Sequence, residues 1–314
     1  MPYKLQNGLS PNPSVIEAAD FWEIECLRKK DLSASITDIK KAMQISEDVQ
    51  ETEDDEEEMR TEGLLDDISA ELDRRFKACG DNYPFHFDKK GYNFSMREDC
   101  NIEIKWLYVY LLLATRHKMG AYRIVNDIDG ALLFETISKD ILKQYLGENS
   151  EGYVFGTENR ADNFHEKLNE LTTKFGEGIL REGKELTYRP QDDKLDIAAW
   201  ISFIDGQPSK IICFGQCKTG ASWHNQIEQL RSDSFVKKWF STTPSLTPVD
   251  AFIITDIVDP RDFFNRSVNR LFFDRCRLMN FAKNIESYNW YINMVNWSKG
   301  VLYRYEIPIN FEEN

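Results

Sequence analysis

The chain has 314 residues, 41% of them apolar and 13% aromatic, enough for a sizeable core and too apolar for global disorder. Its formal net charge of −14 excludes coating of nucleic acid by bulk positive charge, while leaving room for a local basic groove. The charge is uneven: residues 1–150 hold 19 Lys and Arg against 30 Asp and Glu, and residues 151–314 hold 20 against 23.

In chain order, Val15, Ala18, Ala19, Trp22, Ile24, Cys26 and Leu27 recur near the helical period and predict an amphipathic helix over 13–31. Ser33 or Ser35 caps a second predicted helix running to about Ile45. The acidic run Glu47–Glu58, in a loop over about 47–62, reads as a solvated charge block; a nucleic-acid-mimicking or autoinhibitory segment is the other reading. Leu64–Ala78 predicts a helix, Tyr83–Phe94 a strand-like or irregular aromatic stretch, and Ile102–His117 a strongly apolar helix at the centre of the N-terminal unit. Ile128–Leu146 completes that unit. No fold-specific motif falls within 1–150, which reads as a mostly helical domain for recognition, a partner or regulation.

From Gly152 the texture changes. Asn159–Gly176 predicts a helix with Phe164, Leu168, Leu171 and Phe175 on one face, and Ile179–Arg189 a short strand region. Two apolar runs, Leu195–Phe203 and Lys210–Cys217, follow. Ser222–Phe240 reads as helix, Val249–Thr255 as a buried strand, Arg261–Lys283 as a long helix and Val301–Ile309 as a final strand. Up to residue 255 the order is helix, three strands, helix, strand, and the chain divides into domains 1–150 and 151–314.

Six cysteines, at 26, 79, 100, 213, 217 and 276, form no CxxC pair and no zinc-like spacing, which fits a reducing compartment. Met1-Pro2-Tyr3-Lys4 lacks the apolar core of a signal peptide. The greasiest run, Trp106–Ala114, is about nine residues against the roughly 20 that span a bilayer. A cytoplasmic protein without a membrane partner is the expectation.

The two apolar runs around Asp205-Gly206 carry a strong hairpin signal. Antiparallel counting from that turn puts Asp196 nearly opposite Gln216, with Lys218 two residues on and facing the same way. A carboxylate, an amide oxygen and an ammonium thus converge at one end of an apolar hairpin, where polar groups are costly unless used or paired. A divalent metal with a phosphate uses all three, and a structural Asp–Lys pair is the plain alternative. The triplet alone is unspecific: Asp38-Ile39-Lys40, Asp88-Lys89-Lys90, Glu103-Ile104-Lys105, Glu182-Gly183-Lys184 and Asp192-Asp193-Lys194 also read (Asp/Glu)xLys. None of those ends a buried strand opposite an acid. Asp193 is a nearby alternative to Asp196, in the polar stretch before the strand.

This order, with Asp on the second strand and (Glu/Gln)xLys closing the third, resembles the PD-(D/E)xK nuclease superfamily; Gln216-Cys217-Lys218 is similar to the variant of Mrr-like restriction endonucleases. The resemblance covers about residues 153–256. It implies an α+β or α/β fold with a restriction-endonuclease-like αβββαβ core, a mixed sheet flanked by helices. It also implies that Asp196 and Gln216 bind metal with Glu166 completing the shell, that Lys218 is catalytic, and that Gln226 and Gln229 face the site. No Pro precedes Asp196, and Gln replaces the commoner Glu, so the site has one carboxylate fewer.

The implied activity is Mg²⁺-dependent phosphodiester hydrolysis, with Mn²⁺ able to substitute: a DNA endonuclease acting on double-stranded DNA in defence against phage or plasmid DNA, as one subunit of a multi-component system. A protein partner or a second copy would dock through the N-terminal domain. The alternative is a catalytically silent nuclease fold that binds nucleic acid or protein, supported by the Gln and the acidic charge, or else an RNase. Arg266, Arg270 and Arg277 at near-helical spacing, with Lys237 and Lys238, are candidate phosphate contacts, although Asp262 and Asp274 interrupt the stripe. His224-Asn225 lacks the further His ligands of an HNH site, Ser222 and Ser232 lack a partnered His, and no phosphate-binding glycine loop occurs. Tyr288, Trp290, Tyr291 and Trp297 read as core aromatics in preference to a base-stacking platform.

Overall fold

A computed structural model describes residues 3–10, 12–35, 37–38, 41, 55–88, 93–156, 161–181 and 194–312. In chain order its elements are α1 (Val15–Arg28), β1 (Ser33–Ser35), α2 (Asp55–Cys79), β2 (Phe85–Asp88), β3 (Asn93–Met96), α3 (Ile102–Arg116) and α4 (Met119–Tyr122). Then come β4 (Ile124–Val125), β5 (Ile128–Asp129), α5 (Gly130–Leu146), β6 (Ser150–Val154), α6 (Ala161–Phe175), β7 (Ile179–Leu180), β8 (Ile197–Ile201) and β9 (Ile212–Lys218). The last are α7 (Ser232–Trp239), β10 (Phe240–Thr242), β11 (Val249–Ile254), α8 (Pro260–Ser267), β12 (Leu271–Phe273), α9 (Arg275–Phe281) and α10 (Tyr291–Arg304). The protein is α+β, with a central mixed sheet flanked by helices. Among the described residues no helix is long and apolar enough to cross a membrane.

The chain forms two compact units. One takes residues 1–130, 255–259 and 275–314, and the other takes 131–254 and 260–274. The expected single division near residue 150 therefore differs from the observed one, which falls before the body of α5 and returns the last segment to the first unit.

In the first unit, Ser14 starts α1 through a capping box with Glu17, each side chain accepting from the other's backbone N–H. α3 is buried along its whole length from Ile104 to Arg116, which is why its sequence is apolar all round. An ionic network fills the space between the helices. Asp20 accepts from Arg75 (2.7 Å), Arg116 (2.6 Å) and Arg275 (2.9 Å); Glu23 accepts from Arg75 (2.8 Å) and from the hydroxyls of Tyr83 and Tyr108 (2.7 Å each). The predicted helix from Ser33 or Ser35 starts later than expected: Ser33–Ser35 is β1, which pairs antiparallel with β3, and Thr37, Asp38 and Lys41 are helical, while the rest to Ile45 and most of the acidic run lie outside the described residues. The predicted strand Val301–Ile309 is no strand: Val301–Arg304 is the end of α10 and the rest is turn and irregular chain. Val301 and Leu302 continue the buried stripe of Met294, Val295, Trp297 and Ser298, and Glu306, with φ +55°, lies just beyond the end of the helix.

The second unit is built on a five-stranded sheet of order β12-β11-β9-β8-β6. β6, β8 and β9 are antiparallel neighbours, whereas β9, β11 and β12 run parallel. Ala198, Trp200, Ile212 and Phe214 share one face and pack with Phe164, Leu168, Leu171 and Phe175 of α6 and Phe235, Val236 and Trp239 of α7. Three predicted elements are corrected here. Ile179–Leu180 pairs with β10 in a separate ribbon, its predicted continuation to Arg189 lies outside the described residues, and β6 supplies the third antiparallel strand. Helix over Ser222–Phe240 is confined to α7. The long helix Arg261–Lys283 is broken at Asn269 (φ +59°), because Leu271, Phe272 and Phe273 pair with Ala251, Phe252 and Ile253 and complete the sheet edge.

Candidate functional site

The strand pairs Ile197–Gly215 and Ala198–Phe214 set the hairpin register, and the Asp196 N–H donates to the Gly215 carbonyl at 3.0 Å. Continuing that register places Asp196 across from Gln216, on the same face as Phe214 and Lys218. Gly215 is required at this point: a Cβ there would sit 2.6 Å from Ile197 Cγ1. The helix-covered face of the sheet thus becomes polar at one end. Asp196 Oδ2 accepts the Cys217 N–H at 2.7 Å. The Gln216 amide, oriented with its oxygen on the Lys218 ammonium (3.2 Å) and its nitrogen on the Gln226 carbonyl (3.3 Å), also lies 3.1 Å from the Gln229 side-chain amide. Gln216 is fully buried. Burial pushes the Asp196 carboxyl above its ordinary range, against the pull of Lys218 and of the Cys217 N–H.

The structure brings together the side chains of Asp196, Gln216, Lys218 and Gln229; Gln226 contributes its backbone carbonyl while its side-chain amide donates to the Ser222 carbonyl at 3.1 Å, and Glu166 is left out. Glu166 is exposed on α6, two residues from the buried Phe164 and Leu168 and so on the opposite side of the helix. Glu135, on α5, is the buried carboxylate that sequence reasoning passed over; it and Asp196 both act on the Cys217 thiol, which burial already pushes well up. Its signal was a charge beside the apolar stripe of Phe134, Ile137 and Ile141. The basic residues do not form one stripe. Arg266 lies on α8 over the Trp223 ring, Arg270 follows in the turn and pairs with Glu228, and Arg277 is on α9 in the other unit. Lys237 pairs with Asp233 at 3.6 Å, and Lys238 lies over Trp239.

Among the described residues no group of three or more His, Cys, Asp or Glu side chains is placed to hold a metal ion. No family model, no curated protein and no solved structure matches the chain. These findings overturn the membership in the PD-(D/E)xK superfamily that the resemblance implied, and with it the Mg²⁺- or Mn²⁺-dependent endonuclease and its antiviral role. The physical reason lies in the side chains. The amide of Gln216 stands where a second carboxylate would, Glu166 points away, and Asp196, Gln216 and Lys218 spend their bonding capacity on one another and on neighbouring protein groups.

The other end of the same sheet has the opposite character. Gly206 N–H donates to the Phe203 carbonyl and Ile201 N–H to the Ile211 carbonyl, so the hairpin closes over a loop longer than two residues. Ile204 at its tip is fully exposed, and Phe203 and Ile211 are about half exposed. Glu177 ties this tip to its neighbours: its carboxylate accepts from the Lys210 N–H (2.8 Å) and the Ser245 N–H (3.0 Å). Burial pushes that carboxyl up, yet these N–H groups hold it below the ordinary range. Leu246 and Val249, both exposed, follow Ser245, and Ile179, also exposed, follows Glu177 by two residues.

Proposed function

We propose that the chain is a catalytically silent binding module whose second unit docks another protein through its exposed apolar end. The finer architecture belongs to the same proposal: α5, β6, β8, β9, α7 and β11 make an αβββαβ platform that presents the hairpin tip. The observation that carries it is the set of large apolar side chains left in water there: Phe203, Ile204, Ile211 and Val249 at one end of the sheet, and Leu246 and Ile179 on the segments that Glu177 ties to it. Single exposed apolar residues are ordinary, whereas a grouped set marks an interaction surface. The partner is a protein with an apolar face and a neutral or basic rim, since a net charge of −14 opposes a second copy and a polyanion alike.

The test is affinity purification of wild type and of Phe203→Ser/Ile204→Asp from the native cell, with sedimentation of the purified proteins alongside. A specific protein that co-purifies with wild type and is lost with the variant, at unchanged melting temperature, is the expected result. Identical co-purifying sets overturn the docking surface, and a wild-type dimer abolished by the variant replaces the partner with a second copy. Plasmid incubated with the protein and Mg²⁺ is expected to stay intact.

A further inference from the structure

Lys105, on α3, is 5% exposed, and among the described residues it is the one charged side chain buried to that degree without a hydrogen-bond, ion-pair or ring partner. In the same unit Asp20, Glu23, Arg75, Arg116 and Arg275 neutralise one another, and in the second unit the buried Lys210 ammonium donates to the Phe175 carbonyl at 2.6 Å. A buried charge left without a partner is costly. The helix start that carries Lys105 is itself incomplete. The Asn101 side chain makes no capping hydrogen bond, in contrast to Ser14 of α1. The Lys105 N–H is the first in α3 to reach an intrahelical acceptor, the Asn101 carbonyl at 3.0 Å. The N–H groups of Ile102, Glu103 and Ile104 therefore point out of the helix start with no acceptor among the described residues. Helical side chains lean toward the N-terminus, which aims the Lys105 ammonium back over those groups. Its charge is felt there: burial pushes the Cys100 thiol up to about 11 against the pull of Arg97 and Lys105, and Lys105 adds to the hold that Arg97 keeps on the Asp99 carboxyl.

Three backbone donors at the start of a 15-residue helix, where the helix dipole adds partial positive charge, thus share one place with a buried ammonium. That set is complementary to a compact oxyanion. The neighbouring carboxylates do not fill the role. Asp99 is held by Arg97 at 3.0 and 2.8 Å, and neither it nor Glu103, on the same turn as Lys105, comes within ion-pair distance of the ammonium. We propose that the start of α3 binds a phosphate-type oxyanion, with Lys105 supplying the charge and the Ile102, Glu103 and Ile104 N–H groups the hydrogen bonds. The net charge of −14 opposes an extended polyanion and restricts the ligand to a small one. It is either inorganic phosphate or the phosphate of a small monoester, and both present the same oxygens. This site belongs to the first unit and does not rest on the docking surface of the second.

Phosphorus NMR line broadening of inorganic phosphate and of phenyl phosphate, titrated with the full chain in chloride buffer, tests it. Wild type is expected to broaden at least one of the two signals. Lys105→Met keeps the apolar stem, removes the charge, and is expected to weaken binding by about tenfold or more. Ile102→Pro removes one N–H at the position where a helix accepts proline, after an Asn101 already extended at φ −57° and ψ 139°, and is expected to weaken binding several-fold. Lys118→Met, an exposed lysine beyond the other end of α3, should bind as wild type does. The anion that broadens should also raise the melting temperature of wild type and leave that of Lys105→Met where it is in chloride. Broadening of inorganic phosphate alone points to the free ion, and stronger broadening of phenyl phosphate points to a monoester. No broadening of either signal by wild type, or equal broadening by Lys105→Met, overturns the proposal.

Discussion

Asp196 shows how a single residue departs from the role its neighbours suggest. Asp196 is half-buried, and the Lys218 charge and one backbone N–H do not fully offset the loss of water. Its affinity for a proton is therefore higher in the folded than in the unfolded state. A raised carboxyl contributes most to stability below the ordinary value of about 4, and that contribution is lost as pH rises through the higher folded value. Asp196→Asn, which mimics the protonated form, is expected to leave stability at neutral pH unchanged or raised by about 1 kcal/mol, and to flatten its pH dependence above the ordinary carboxyl value of about 4. Urea denaturation across that range checks it. A strong loss at neutral pH would show that the charged form is the one the fold requires.

At the scale of elements, the β8–β9 hairpin was legible because apolar runs around an Asp-Gly step fix a register, and Ile197 pairs with Gly215 as that register demands. Gly215→Ala is expected to cost about 1–3 kcal/mol by overpacking against Ile197, with a non-additive double-mutant cycle against Ile197→Ala. Other elements were not legible. β12 looked like the middle of a long helix, because three apolar residues in a row carry no period of their own and the pairing with β11 decides them. Glu166 was chosen by position on a predicted helix, while Glu135, a buried carboxylate on α5, hid next to an apolar stripe. The apolar tip was visible only as greasy loop residues, since exposure is a property of the fold.

At the scale of the molecule, the ionic network decides whether the first unit holds. Burial raises the Asp20 carboxyl, but Arg275, Arg116 and Arg75 outweigh it and hold the group well below the ordinary range. Asp20→Ala takes the shared carboxylate from three buried guanidinium groups, leaving Arg75 and Arg275 on Glu23 and Arg116 on its longer contact to Asp256, and is expected to cost about 3–5 kcal/mol near neutral pH. A depressed carboxyl contributes above the unfolded value near 4 and loses that contribution as pH falls through the folded value. The gap between wild type and Asp20→Ala should therefore close only in strong acid, which melting temperatures over a pH series will read. High salt should change the gap little, since buried pairs are poorly screened.

Arg275 reaches Asp20 across 255 residues of chain. On a ribosome adding about 5–20 residues each second, that separation is roughly 13–50 s of synthesis. Helices α1 and α2 therefore emerge long before the arginine that neutralises their acids, whereas the sheet-bearing unit is complete once residue 274 has cleared the tunnel. The half translated first is the half that matures last, and until then its exposed acids and unpaired apolar surface are a natural station for a holding chaperone.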